Sequence, residues 1–153
     1  MISRKTKYAL QALGRLAESP AGEPVLIADL AEGERIPRKF LEAILVALRK
    51  GGVLQSRVGR GGGYLLAAPA REITLARIIG ILDGEPTSLP CLSDEHPTRC
   101  DECHDLESCG TRLVMADVKQ AVTRTLEGIT LDDLVERSRA VRARRRKTPD
   151  FSI

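Results

Sequence analysis

The chain has 153 residues and no tryptophan, and none of its apolar runs approaches the roughly 20 residues needed to cross a bilayer, so no membrane span is expected. Its opening, MISRKTKYAL, lacks the long apolar core of a signal peptide, and the expected setting is reducing and cytoplasmic. Also missing are a Ser, His and Asp constellation, a Gly-Lys-Ser/Thr nucleotide loop and paired carboxylates in an apolar setting. These absences argue against an enzyme. Cysteine is scarce and unevenly placed: all four fall between Cys91 and Cys109, together with both histidines, His96 and His104. In a reducing setting, thiols clustered in this way point to metal or redox chemistry rather than to structural disulfides.

Charge is distributed as unevenly as cysteine. Residues 1–68 hold eleven Lys or Arg against six Asp or Glu, whereas residues 83–110 hold eight acids and one base, Arg99. From Arg137 to Lys147 there are seven bases and no acid. Such a run binds polyanions or forms a solvated helix end.

Apolar residues at Ala9, Ala12, Leu13, Leu16 and Ala17 recur at helical spacing, and SPAGEP ends that helix. A short helix is expected from about Leu26 to Gly33. A third should open with Pro37 at its first position, bury Phe40, Leu41, Ile44, Leu45 and Leu48, and stop at Gly51 and Gly52. Three such segments suit any small helical bundle as well as a helix-turn-helix. VLQSRVGRGGGYLLAAP then reads as two short strands around a glycine-rich basic tip, and a hairpin directly after a third helix makes a wing. At the tip, Gly59, Gly61, Gly62 and Gly63 let the backbone approach a phosphate while Arg57 and Arg60 supply charge. A glycine-rich hairpin without function is the alternative.

KYALQALGRLA, RKFLEAILVALRKGGVLQS, GRGGGYLLAAPAREITLARII and the cysteines downstream together resemble the winged-helix regulators that include the iron-sulfur cluster regulator IscR and the nitric-oxide sensor NsrR. The resemblance covers Met1 to about Arg139. It implies a mainly α fold with a small β wing, an α+β winged helix-turn-helix with a long dimerisation helix. It also implies a homodimeric DNA-binding transcription regulator, usually a repressor, whose affinity for a double-stranded operator depends on an iron-sulfur cluster or another signal. Carried onto this chain, the DNA contacts fall on Arg38, Lys39 and Glu42 at the start of the recognition helix and on Arg57, Arg60 and Gly61 at the wing tip. Cluster-binding relatives commonly read RGPGGGY there, where this chain has Val58 and Arg60 in place of the arginine and the proline. The organisation expected is a DNA-binding domain over 1–83, a cysteine loop over 84–111, dimerisation and C-terminal helices over 112–147, and a tail over 148–153.

Downstream, Thr74 suits the N-cap of a helix whose apolar face is Leu75, Ile78, Ile79 and Leu82. Val114, Val118, Ala121, Val122 and Thr125 share one face of a later helix; in the family this is the dimerisation helix, while periodicity alone equally allows it to pack on its own domain. Thr130 and Asp133 resemble a capping box for the last helix.

The cysteines read Cys91, eight residues, Cys100, two residues, Cys103, five residues, Cys109, in a loop broken by Pro90, Pro97 and Gly110. Convergent thiolates from an irregular loop suit a two-iron or four-iron cluster. Closed four-thiolate zinc is an alternative, and a metal-free thiol switch another. In the resembled family the fourth ligand is a histidine three positions after the last cysteine or an acid on the partner subunit. Here those positions are Arg112 and Lys7, neither of which ligates. Cys100 is therefore the candidate, with His96 and His104 in reserve, and the loop is expected to order with its metal and loosen without it.

Overall fold

The computed structural model describes residues 2–85, 89–101, 103 and 105–147. These form α1 (Arg4–Glu18), α2 (Ile27–Gly33), α3 (Arg38–Lys50), β1 (Leu54–Arg57), β2 (Gly63–Leu66), α4 (Leu75–Asp83), α5 (Gly110–Glu127) and α6 (Leu131–Lys147). The tail over 148–153 and His104 lie outside the described residues.

Local chemistry accounts for the helix ends. The Ser3 hydroxyl accepts from the Thr6 amide at 3.2 Å and opens α1, and the Thr74 hydroxyl accepts from the Arg77 amide and opens α4. At α6, the Asp133 carboxylate accepts from the Thr130 amide at 2.8 Å while the Thr130 hydroxyl accepts from the Asp133 amide at 3.2 Å. That reciprocal pair is the expected capping box.

One core joins the first four helices, the wing and the root of α6. Ala9, Ala12, Leu13 and Leu16 of α1 meet Leu30 of α2, Leu41, Ile44, Leu45 and Leu48 of α3, Ile78 and Leu82 of α4, and Leu131. Each fully buried leucine contributes about 1.5–3 kcal/mol through removal of apolar surface from water. The chain returns to this core through two backbone hydrogen bonds, Leu75 to Ile129 at 2.9 Å and Leu131 to Ile73 at 2.8 Å. Only 3.6 Å would separate a Cβ at Gly14 from Leu134, which shows how closely α6 lies on α1.

β1 and β2 pair antiparallel with Leu54 opposite Leu66 and Arg57 opposite Gly63. Val25 extends this ladder through two hydrogen bonds with Tyr64, at 2.8 and 2.9 Å. Gly63 permits that contact: its φ is 149°, and a Cβ there would collide with the Val25 carbonyl.

Two expectations about α3 need correction. Pro37 is the N-cap, with ψ 124°, and the helix starts at Arg38; Pro lacks an amide hydrogen and suits either position because neither needs one. Phe40 is 54% exposed rather than buried. It lies in the first turn, ahead of the buried stripe, and its ring meets Tyr8 edge-on at 6.3 Å between centroids.

Candidate nucleic-acid interface and cysteine loop

Arg38, Lys39 and Glu42 all lie on the exposed side of the start of α3. Arg38 donates from Nε to Glu42 Oε1 at 3.2 Å, so the glutamate steers the guanidinium along the helix surface. Surface pairs of this kind add little stability and exchange readily for another acceptor. At the wing tip Arg57, Arg60 and Gly61 are exposed, and Val58 between them is fully so. Gly59 and Gly61 take φ values of 102° and 78°, and the Gly62 amide donates to Gly59 at 3.0 Å to close the turn. The hairpin is tied to α3 by Arg49, which donates to the Ser56 hydroxyl at 3.2 Å, and α4 is tied to the end of α3 by Arg77, which donates to the carbonyls of Gly51 and Gly52 at 3.1 Å each. A cation just beyond the C-terminus of α3 also complements the helix dipole.

The cysteine loop starts from a clasp on α1. Asp83, the last residue of α4, accepts from the Ser3 amide at 2.9 Å and from the Ser3 hydroxyl at 2.6 Å, and Lys5 donates to the Leu82 carbonyl at 3.0 Å. Burial pushes the Asp83 carboxyl up, but its bonds to Ser3 outweigh this and hold it below the ordinary range. Two residues later the chain crosses to α5. There the Lys119 ammonium, on a side chain only 12% exposed, meets Glu85 at 2.9 Å, Asp94 at 2.7 Å and the Leu92 carbonyl at 2.6 Å. The bond from Lys119 is the main reason the Glu85 carboxyl titrates low. Arg112 donates to the Cys91 carbonyl at 3.2 Å, and Thr98 donates to the Pro90 carbonyl at 3.0 Å. Cys91 is thereby buried in the short 3-10 turn Pro90–Leu92.

Cys103 and Cys109 meet at the start of α5, with Cys100 next to Cys103. Cys109 is the N-cap of α5, its Sγ lies 4.0 Å from that of Cys103, and the Cys103 amide donates to the Cys100 carbonyl at 3.1 Å. Burial, then the neighbouring Cys109 and Cys100, push the Cys103 thiol up to about 11. Cys109 moves the opposite way because the Arg112 amide at the helix N-terminus donates to it. Two thiolates on one tetrahedral metal at about 2.3 Å would stand ~3.8 Å apart. The Cys103 and Cys109 pair therefore fits a metal in both kind and spacing. Among the described residues, no group of three or more His, Cys, Asp or Glu side chains is placed to hold a metal ion, so the Cys103 and Cys109 pair stands as two ligands without a third. The structure keeps Cys91 in its own turn, bonded through its backbone to α5, and His96 is exposed.

On α5, Val114 is 63%, Val118 43% and Val122 39% exposed, and Ala121 is exposed beside them. None of the residues of α5 is buried, so this face does not pack on its own domain.

The model of the Rrf2 family, described as iron-dependent transcriptional regulators, matches residues 2–137. The chain belongs to the Rrf2 family. Among its Rrf2 relatives, a putative rrf2-like regulator of Rhodobacter capsulatus is 38% identical, over 88% of this chain and 92% of the relative. The regulator IscR of Pectobacterium atrosepticum is 31% identical, over 97% and 87% respectively. Among solved structures, T. potens IscR superposes with a TM-score of 0.70 at 29% identity, covering 90% of this chain and 88% of that one. CymR, the global cysteine regulator of B. subtilis, also scores 0.70, at 26% identity over 89% and 96%. The protein is thus a winged-helix DNA-binding transcriptional regulator of the Rrf2 family, a family of regulators rather than enzymes. Among the described residues, no helix is long and apolar enough to cross a membrane.

Sequence reasoning passed over Ser3, Asp83 and Lys119. The available signal was an excess of acid over residues 83–110, which calls for a counter-cation elsewhere, and a lysine in the middle of α5.

Proposed function

We propose that the chain is a cytoplasmic homodimeric repressor whose operator affinity is controlled by an iron-sulfur cluster held by Cys91, Cys100, Cys103 and Cys109. The observation that carries this reading is that Cys103 and Cys109 meet at the N-terminus of α5, with Cys100 beside Cys103, on the helix whose apolar face is left uncovered. A metal site and a dimer contact on one helix share one lever. Arg38, Lys39 and Glu42 would enter the major groove while Arg57, Arg60 and Gly61 hold the flanking backbone. When bound, the cluster supplies iron-sulfur bonds that oxidants or nitric oxide break. The protein's own part is to gather thiolates in a stretch of formal charge −7, eight acids against one base over residues 83–110. Losing the metal charge there favours opening around Cys100–Cys109, which shifts the start of α5 and with it the spacing of the two recognition helices. Zinc would fill the same thiolates in a purely structural role.

A metal-free thiol switch has its own support, since the 4.0 Å between Cys103 and Cys109 must shrink by only about 2 Å to form a disulfide. In that step the two S–H bonds break and the S–S bond forms, and two electrons and two protons pass to a peroxide, whose O–O bond breaks to give water and an alcohol or a second water.

Anaerobic purification followed by visible absorption and by iron, sulfide and zinc analysis tests the reading. Iron and sulfide in the protein, with visible charge-transfer absorption, are expected. Zinc without sulfide, or no metal with reversible loss of two thiols, would replace it by one of the other two.

A further inference from the structure

We propose that Lys119 is a positioning residue of the cysteine loop. It holds Glu85, Leu92 and Asp94, and through them Cys91, against α5 by protein charge, with no metal needed for that placement. The metal part of this proposal rests on the function proposed above; the positioning part does not.

The argument starts from desolvation. An ammonium on a side chain only 12% exposed must be fully paired, and Lys119 is: its three donors meet Glu85, Asp94 and the Leu92 carbonyl at 2.9, 2.7 and 2.6 Å. Those partners stand at the start of the loop and on the C-terminal side of Cys91. Glu85 in turn accepts from the Asp94 amide at 3.2 Å, so the two chain segments are bonded to each other as well as to the cation. Arg112, one turn from the start of α5, holds the Cys91 carbonyl at 3.2 Å. No thiol takes part in any of these bonds. Further along the loop the Cys103 amide closes a turn on Cys100, Cys103 meets Cys109, and the Ser108 amide donates to Asp105. Lys119 and Arg112 together set the turn of Cys91 in place without metal.

Two substitutions test this in the full chain. Lys119→Met keeps the stem and removes the charge, while Lys119→Arg keeps a cation. In metal-free protein, hydrogen exchange of the Leu92, Ser93 and Asp94 amides should accelerate roughly tenfold or more in Lys119→Met, the loss expected for one charged hydrogen bond. Amides of α3 should not change, and Lys119→Arg should restore most of the protection. Unchanged exchange in Lys119→Met overturns the proposal. Should Lys119→Met fail to fold by circular dichroism, Glu85→Gln with Asp94→Asn removes the same pairs from the loop side and must give the same acceleration.

The second readout uses zinc alone as probe, in competition with a chelator. Lys119→Met should bind roughly tenfold more weakly than wild type, as expected for a group that orients a ligand. Combined with Cys91→Ser it should add no further loss if it acts through Cys91. Full additivity would contradict that route. A wild-type chain that binds neither zinc nor iron would refute the metal reading, while the exchange result would still decide the role of Lys119.

Discussion

Between Arg4 and Leu82 the chain is held by apolar side chains, with leucine and isoleucine of α1, α2, α3 and α4 excluded from water together. Between Asp83 and Gly110, Cys91 and Leu92 are the only buried residues among those described, and the segment is fastened by charge: Asp83 to Ser3, Glu85 and Asp94 to Lys119. Apolar packing is cooperative and indifferent to small changes in charge. Ion pairs and thiols respond to metal, oxidant and pH. Under the proposed function, the reading head stands in the first kind of structure and the sensor in the second.

Substitutions in the two regions should therefore differ in kind. Leu45→Ala in the fully buried core should lower global stability by about 2–5 kcal/mol in denaturant unfolding. Asp94→Asn, whose side chain is 78% exposed, should leave the midpoint within about 0.5 kcal/mol while freeing the loop locally. Comparable losses in both would erase the distinction.

Next in size is assembly. Val118→Asp places a charge in the uncovered face of α5 and should convert dimer to monomer in sedimentation, with little change in the unfolding of the winged domain. A fully dimeric Val118→Asp protein would assign this face to another role.

The clasp between the regions gives a smaller, pH-dependent effect. The Asp83 carboxyl titrates lower when folded than when unfolded, so its contribution is present above pH ~4 and is lost as pH falls through the folded value. Asp83→Asn should cost about 1 kcal/mol at neutral pH and flatten the acid limb of the stability curve. An unchanged acid limb would place the clasp outside the folded-state energetics.

These same regions differ in how far they can be read from sequence. The stripe of α1, the buried leucines of α3, the Gly-rich hairpin and the Thr130 and Asp133 box are local patterns, with cause and effect a few residues apart. The exposure of Phe40 was not legible, because periodicity gives a face but not how far the neighbouring elements reach along it. The loop was legible as chemistry, in its thiols and its excess acid, but not as geometry. Ser3 and Asp83 are 80 residues apart and Lys119 and Glu85 are 34 apart, and nothing local announces either pair.

The smallest expected effect on stability is at the wing. Arg57→Ala and Arg60→Ala should leave unfolding unchanged, yet each should weaken operator binding and reduce its salt slope by about one phosphate contact. An unchanged slope in both would remove the wing from the interface.

The central claim is that the charge-held loop governs the apolar-held reading head. Titration of one double-stranded operator fragment at fixed salt with metal-loaded protein, metal-free protein and the Cys103→Ala variant tests it directly. The account predicts that metal-loaded protein differs in affinity from the other two, which agree with each other. Three equal affinities would contradict it.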